Sequence, residues 1–186
     1  EKHGPQSFGL FSCSKSTNEM NFIAQKFARV VIGSNNIEAA TVLDMPSVAG
    51  LATVFGAGGG TNSYQEIEET DAILLWGSNA RETHPIFFHH LLKGGRNGAR
   101  LYAIDPRRTS SVEWAEAWAG LNVGTDIVLA NAMGREIIAT GLECREFIES
   151  ATTGFDDYRR AVEPYTLDYA VRETGVSSDV IRDMAH

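Results

Sequence analysis

The chain has 186 residues, 43% of them hydrophobic, and its 16 basic against 24 acidic side chains set a net charge of −8. That length builds one unit with a sizeable core, while the acidic balance excludes a surface made for nucleic acid or for an anionic membrane. Cys13 and Cys144 each stand far from any other cysteine, which excludes zinc and iron–sulfur spacings and points to a reducing cytoplasm, and no apolar run nears the roughly 20 residues of a membrane helix.

The opening Glu1-Lys2-His3-Gly4-Pro5 is unlike a signal peptide, so the chain is expected to be an internal stretch of a longer polypeptide. Phe8-Gly9-Leu10-Phe11 predicts a short buried strand. Ser16-Thr17-Asn18-Glu19 then supplies a capping box, and Phe22, Ile23, Phe27, Val30 and Val31 recur as one helical face expected to enter the core, with Gly33 as the stop. From Ile37 to Asp44 no period is visible. Pro46-Ser47-Val48-Ala49-Gly50-Leu51 opens a short helix with proline in its first turn, and Gly56 to Gly60 form either a plain mobile loop or a place for close backbone approach.

From Tyr64 a regular rhythm begins. Asp71 to Trp76 is a continuous apolar strand of the type buried on both faces of a parallel sheet. A helix follows from about Pro85 to Lys93, then a second strand from Ala99 to Ile104, a weaker third from Ala115 to Leu121, and an apolar helix from Gly124-Thr125-Asp126 through Ala139. This alternation predicts an α/β fold, a Rossmann-like three-layer domain with a mostly parallel sheet. Residues 142–186 read as a helical tail of the same single domain, with helices near Cys144–Ala151, Tyr158–Val162, Leu167–Glu173 and Ser178–His186.

Three strand ends carry polar loops, and in an open parallel sheet those ends line one ligand-binding edge. After the first, Gly77 lets a phosphate approach the backbone and the next turn offers free amides. Asp105, 28 positions later, stands where a nucleotide fold places an acid for ribose hydroxyls, and Arg107 and Arg108 suit a pyrophosphate or a base face. Asp126 can accept two donors from a guanine edge, which adenine does not offer. The competing structural reading makes Gly77 a turn, Asp105 and Thr125 helix caps, and the arginines solvated. His84, His89 and His90 lack the spacing of a metal-binding helix face; His84 is expected to set the start of the helix at Pro85.

Taken together, Thr17-Asn18-Glu19, Gln25-Lys26-Phe27-Ala28-Arg29, Pro46 to Leu51, Trp76-Gly77-Ser78-Asn79 with His84-Pro85, Asp105-Pro106-Arg107-Arg108-Thr109 and Gly124-Thr125-Asp126 resemble the catalytic subunit of molybdopterin-dependent formate dehydrogenases. That family lies within the dimethyl sulfoxide reductase superfamily. The resemblance implies a bis(molybdopterin guanine dinucleotide) cofactor carrying molybdenum or tungsten, oxidation of formate to carbon dioxide, and electrons leaving through iron–sulfur clusters to an acceptor subunit. Carried over by position, Trp76, Gly77, Ser78, Asn79, Ala80, Arg81, Glu82 and Thr83 would cradle the pyrophosphate. Asp105, Pro106, Arg107, Arg108 and Thr109 would hold the guanosine region, and Gly124, Thr125 and Asp126 the base end.

Two features depart from the family. Its cysteine-rich [4Fe–4S] motif is absent from these residues, and Leu43 and Asp44 stand where the family has cysteine or selenocysteine followed by histidine, in a segment one residue short. Asp44 is the one oxygen donor there for molybdenum; the other readings are a helix cap and a degenerate active site. A homologue acting on another substrate such as nitrate, and a molybdopterin-fold scaffold without metal, stay open as alternatives.

Overall fold

The structure, a computed structural model, describes residues 2–39 and 41–186, with the backbone alone for residues 41–43. The chain divides into two compact units, Glu1–Asn62 and Ser63–His186.

In the first unit β1 (Leu10–Ser12) pairs in parallel with β2 (Ile37–Ala39), Leu10 opposite Ile37. The strand starts later than its apolar run suggests because the Phe8 carbonyl accepts from the Ser34 hydroxyl (3.2 Å) and the Asn36 amide (3.3 Å), so ladder pairing begins only at Leu10. Helix α1 (Asn18–Lys26) begins one residue later than the Ser16–Glu19 capping box places it: Thr17 is the cap, its Oγ1 accepting the Met20 amide at 3.3 Å, while the Ser16 N–H goes to the Cys13 carbonyl. The helix continues as a π-helical turn, Phe27–Ile32, and stops at Gly33.

The helical face expected in the core is not buried. Phe22, Ile23, Phe27, Val30 and Val31 are 45–72% exposed and Ala28 alone is enclosed, because a sheet of two three-residue strands offers no face wide enough to cover them. A second correction concerns α2 (Thr41–Phe55), which starts well before Pro46. Proline therefore lies beyond the first turn, where its missing N–H leaves one rung of the helix unmade.

The second unit is a three-layer α/β fold. Strands β3 (Ala72–Trp76), β4 (Arg100–Ile104) and β5 (Ala117–Ala119) form a parallel sheet in the order β3-β4-β5, with Trp76 opposite Ile104 and Ile104 opposite Ala119. Between β3 and β4 run a short turn of helix, α3 (Ala80–Thr83), and α4 (Pro85–Arg96). After β5 come α5 (Asp126–Ala139), α6 (Arg145–Ala151), α7 (Phe155–Val162), α8 (Leu167–Thr174) and α9 (Ser178–Ala185).

Because side chains alternate across a pleat, the strands feed two cores. Ile73, Leu75, Leu101 and Ala103 pack with Phe88 and Leu91 of α4, whereas Ile104 and Ala119 pack with Leu129 and Met133 of α5 and with Ala170 and Ile181 of the tail. The tail thus closes one face of the sheet.

Helix α4 is also fastened from its outer side. Glu68 accepts from Lys93 Nζ (3.0 Å) and lies 2.6 Å from His90 Nδ1, while Asn97 donates to the Glu68 carbonyl at 2.8 Å. Hydrogen bonds from Lys93 and then His90 hold the Glu68 carboxyl below the usual glutamate range. A lowered folded-state value stabilises above the ordinary glutamate range and is lost as pH falls through the folded value. Glu68→Gln should therefore melt below the wild type at pH 7, and the gap should close on acidification. Thermal melts between pH 7 and pH 3 with a constant gap would contradict this role.

Candidate functional site

Three loops leave the same end of the sheet, since β3, β4 and β5 are parallel. The first begins at Gly77, whose φ of +59° suits glycine and whose amide donates to the Ile104 carbonyl at the end of β4 (2.7 Å). That bond ties the first loop to the start of the second.

Asn79 joins the same two loops through its side chain. Its Oδ1 accepts from the Ser111 hydroxyl (3.2 Å) and faces that of Ser110 (3.4 Å), which also donates to Glu82 at 2.8 Å. Ser111, fully buried, accepts the Arg81 amide at 3.0 Å, so the α3 turn rests on the second loop. Thr83 donates back to the Asn79 carbonyl, and its hydroxyl lies 2.8 Å from His84 Nδ1. Ala80, one of the expected cradle residues, is fully buried and belongs to the core, so it offers no surface to a ligand.

In the second loop Asp105 is 6% exposed, and its Oδ1 accepts the Arg107 amide at 2.7 Å, an Asx turn that bends the chain outward. The Trp118 indole donates to the Asp105 carbonyl (2.8 Å), and the Arg108 guanidinium lies 5.8 Å from the Trp118 ring centre. Pro106, Arg107 and Arg108 are exposed, and among the described residues neither arginine forms an ion pair, so both cations are available to an anion. Thr109 is buried, and its Oγ1 has no hydrogen-bond partner among the described residues. A buried hydroxyl left in this state is a group a ligand would satisfy.

The third loop turns at Gly124, φ +85°. Thr125 occupies the cap position of α5 without capping it, because its hydroxyl donates instead to the Asn122 carbonyl at 2.6 Å. The first amides of α5 therefore receive no side-chain cap. Asp126 follows, exposed, and its Oδ1 accepts the Trp76 indole N–H at 2.8 Å. The third loop is thereby joined to the end of β3.

These bonds bring Trp76, Gly77, Asn79, Asp105 and Asp126 to one edge of the sheet. Ser110, Ser111 and Trp118, which hold the loops in place, carry no local pattern that singles them out in the sequence. Asp44 lies in the first unit, exposed in the first turn of α2, and the Leu43 side chain is outside the described residues. His90 is committed to Glu68, and no cluster of three metal-ligating side chains occurs among the described residues. A separate cleft of about 760 Å³, lined by Arg145, Glu149, Arg159 and Arg160 among others, lies on α6 and α7 away from the loops.

Exposed cations, a hydroxyl without a partner among the described residues and positive-φ glycines thus stand together at the carboxyl ends of the parallel strands of an α/β fold. Residues 1–154 match the molybdopterin oxidoreductase family, and the chain belongs to it. It is similar to Formate dehydrogenase H of Escherichia coli (strain K12), 41% identical over 187 residues that span 100% of this chain and 26% of that protein. F420-dependent formate dehydrogenase 2 subunit alpha of Methanococcus maripaludis is 35% identical over 186 residues, 100% of this chain and 28% of that protein. Among solved structures, acetylene hydratase from Pelobacter acetylenicus superposes with a TM-score of 0.67 at 28% identity, covering 99% of this chain and 25% of that one. The chain spans about a quarter of the length of the curated relatives it matches.

Proposed function

We propose that this chain is the α/β part of a formate dehydrogenase-type oxidoreductase subunit and that its three joined loops hold a guanine nucleotide of bis(molybdopterin guanine dinucleotide). The observation that carries the reading is that Arg107, Arg108 and the Thr109 hydroxyl, which have no ion-pair or hydrogen-bond partner for these groups among the described residues, stand with the Asp126 carboxylate at the same end of the parallel strands. The arginines offer planar, paired donors to a pyrophosphate, and the backbone around Gly77 leaves room for its oxygens. Asp105 retains a carboxylate oxygen for ribose hydroxyls, and Asp126 faces the base. When bound, the cofactor supplies two-electron redox chemistry, which this reading directs to formate.

The formate dehydrogenase relatives support formate as the substrate. The resemblance assigns a [4Fe–4S] cluster and an electron-accepting partner to a subunit of the relatives' length. No described helix is long and apolar enough to cross a membrane, and the free thiols of Cys13 and Cys144 suit the cytoplasmic location the reading proposes. Metal analysis of the full-length protein beside its Asp44→Ala variant distinguishes molybdenum from tungsten and tests Asp44 as a ligand.

The nucleotide assignment is tested with GDP on the full-length protein in cofactor-free form. Asp126→Ala and Asp105→Asn should each weaken binding by about 1.5–3 kcal/mol, the usual worth of a hydrogen bond to a charged group. Asparagine at 105 keeps an acceptor for the Arg107 amide, so its loss reports charge rather than turn geometry. Unchanged GDP affinity in both variants, by calorimetry, would remove the assignment.

A further inference from the structure

Trp76 ends β3, and position along the chain groups it with the pyrophosphate loop that follows. Its side chain does something else. The ring packs against the core formed by Ile104, Leu129 and Ile181, while its Nε1–H reaches across 50 positions to Asp126 Oδ1 at 2.8 Å. An indole seated on a core has little rotamer freedom, whereas an exposed aspartate in the first turn of a helix has much. The hydrogen bond therefore transfers the rigidity of the core to the carboxylate.

We propose that Trp76 is a positioning residue that sets guanine selectivity by fixing the orientation of Asp126. This rests on the nucleotide reading above and deepens it. An ionised carboxylate has about four lone-pair sites on its two oxygens. The Trp76 indole uses one, and among the described residues Asp126 has no other hydrogen-bond partner. Both oxygens keep a free site, in a plane set by the indole. Guanine presents adjacent N–H donors at N1 and N2 and so fits two coplanar acceptors, while adenine places an acceptor, its N1, beside a single donor. A carboxylate held in one plane rewards the first pattern and repels the second; one free to rotate can present a single oxygen to either base. Pre-organisation thus acts on selectivity as well as on affinity.

The test uses the full-length protein in cofactor-free form, titrated with GDP and with ADP, as wild type, Trp76→Phe, Asp126→Ala and the double variant. Phenylalanine keeps an aromatic ring on the core and removes the N–H. Trp76→Phe should weaken GDP binding about 3- to 10-fold, the worth of one neutral-donor hydrogen bond, and leave ADP binding within about twofold. In the Asp126→Ala background the same substitution should change GDP affinity by less than about twofold, since the indole then has no carboxylate to hold. A merely structural defect would instead weaken both nucleotides and add to the loss from Asp126→Ala, which overturns the proposal. Trp76→Tyr, which keeps a large ring but displaces the donor, replaces Trp76→Phe where the latter does not fold and carries the same expectation. Guanine preference that survives in the Trp76 variants but vanishes in Asp126→Ala overturns the role of Trp76 and leaves the nucleotide reading standing. A wild type that binds GDP and ADP equally overturns both.

Discussion

Leu129→Ala should lower the free energy of unfolding by about 3–4 kcal/mol, within the range for a leucine removed from a closed core. Leu129 is fully buried on the inner face of α5, in the cluster that joins the sheet residues Ile104 and Ala119 to Ala170 and Ile181 of the tail. Neighbours from the sheet, the helix and the tail meet there, so the vacated space has no single element that can move in to fill it. Ile127, on the same helix and 72% exposed, is the control: Ile127→Ala should change stability by less than about 0.5 kcal/mol. Urea denaturation followed by circular dichroism distinguishes the two. A loss below about 1 kcal/mol for Leu129→Ala would mean that tail and sheet do not share one core.

Gly94→Ala should cost about 2–3 kcal/mol for the opposite reason, too much matter in a filled place. A Cβ at Gly94 would stand 2.4 Å from the Ile67 carbonyl oxygen and 3.3 Å from Ile73 Cδ1. The first contact is with backbone, so relief requires α4 to move away from the segment that also carries Glu68. The adjacent Gly95 has nothing within 4 Å of the same position and lies in the same helix, where alanine is favoured over glycine by roughly 0.5–1 kcal/mol. Gly95→Ala should then be neutral or stabilising. Equal effects at the two positions, in denaturation of the purified variants, would refute the close approach of α4 to Ile67.

What the sequence makes legible is local and periodic. The apolar runs ending at Trp76 and Ile104 announce two parallel strands, but only the second is buried on both faces: Ala72 and Leu74, expected to be covered, are exposed, Leu74 by 45%, because the layer that encloses Ile73 and Leu75 has no counterpart over them among the described residues. Thr17, Thr166 and Ser177 each accept an amide at the start of a helix, as their residue types suggest. Three-residue strands are another matter: β2 has no room for a period, and its extended form comes from pairing with β1. Phe22 and Val30 have the spacing of a core face, but spacing records which side of a helix is apolar and says nothing about whether anything covers it. The site's internal bonds are hidden for a related reason. Asn79 meets Ser111, and Trp76 meets Asp126, over separations of 32 and 50 positions that leave no trace in neighbouring residues.

The family match stops at residue 154, yet the folded core runs on past it through Ala170, Val176 and Ile181. The backbone amide of Asn122 donates to the Thr174 carbonyl at 2.8 Å and its side chain to that of Glu173 at 3.0 Å, while the Asn122 carbonyl in turn anchors Thr125. The last helices therefore act as a strut beneath the turn that carries Asp126. An expression boundary drawn at residue 154 would cut through this strut, exposing Leu129 and freeing the turn at its root; the mechanical domain is longer than the stretch that family resemblance marks out.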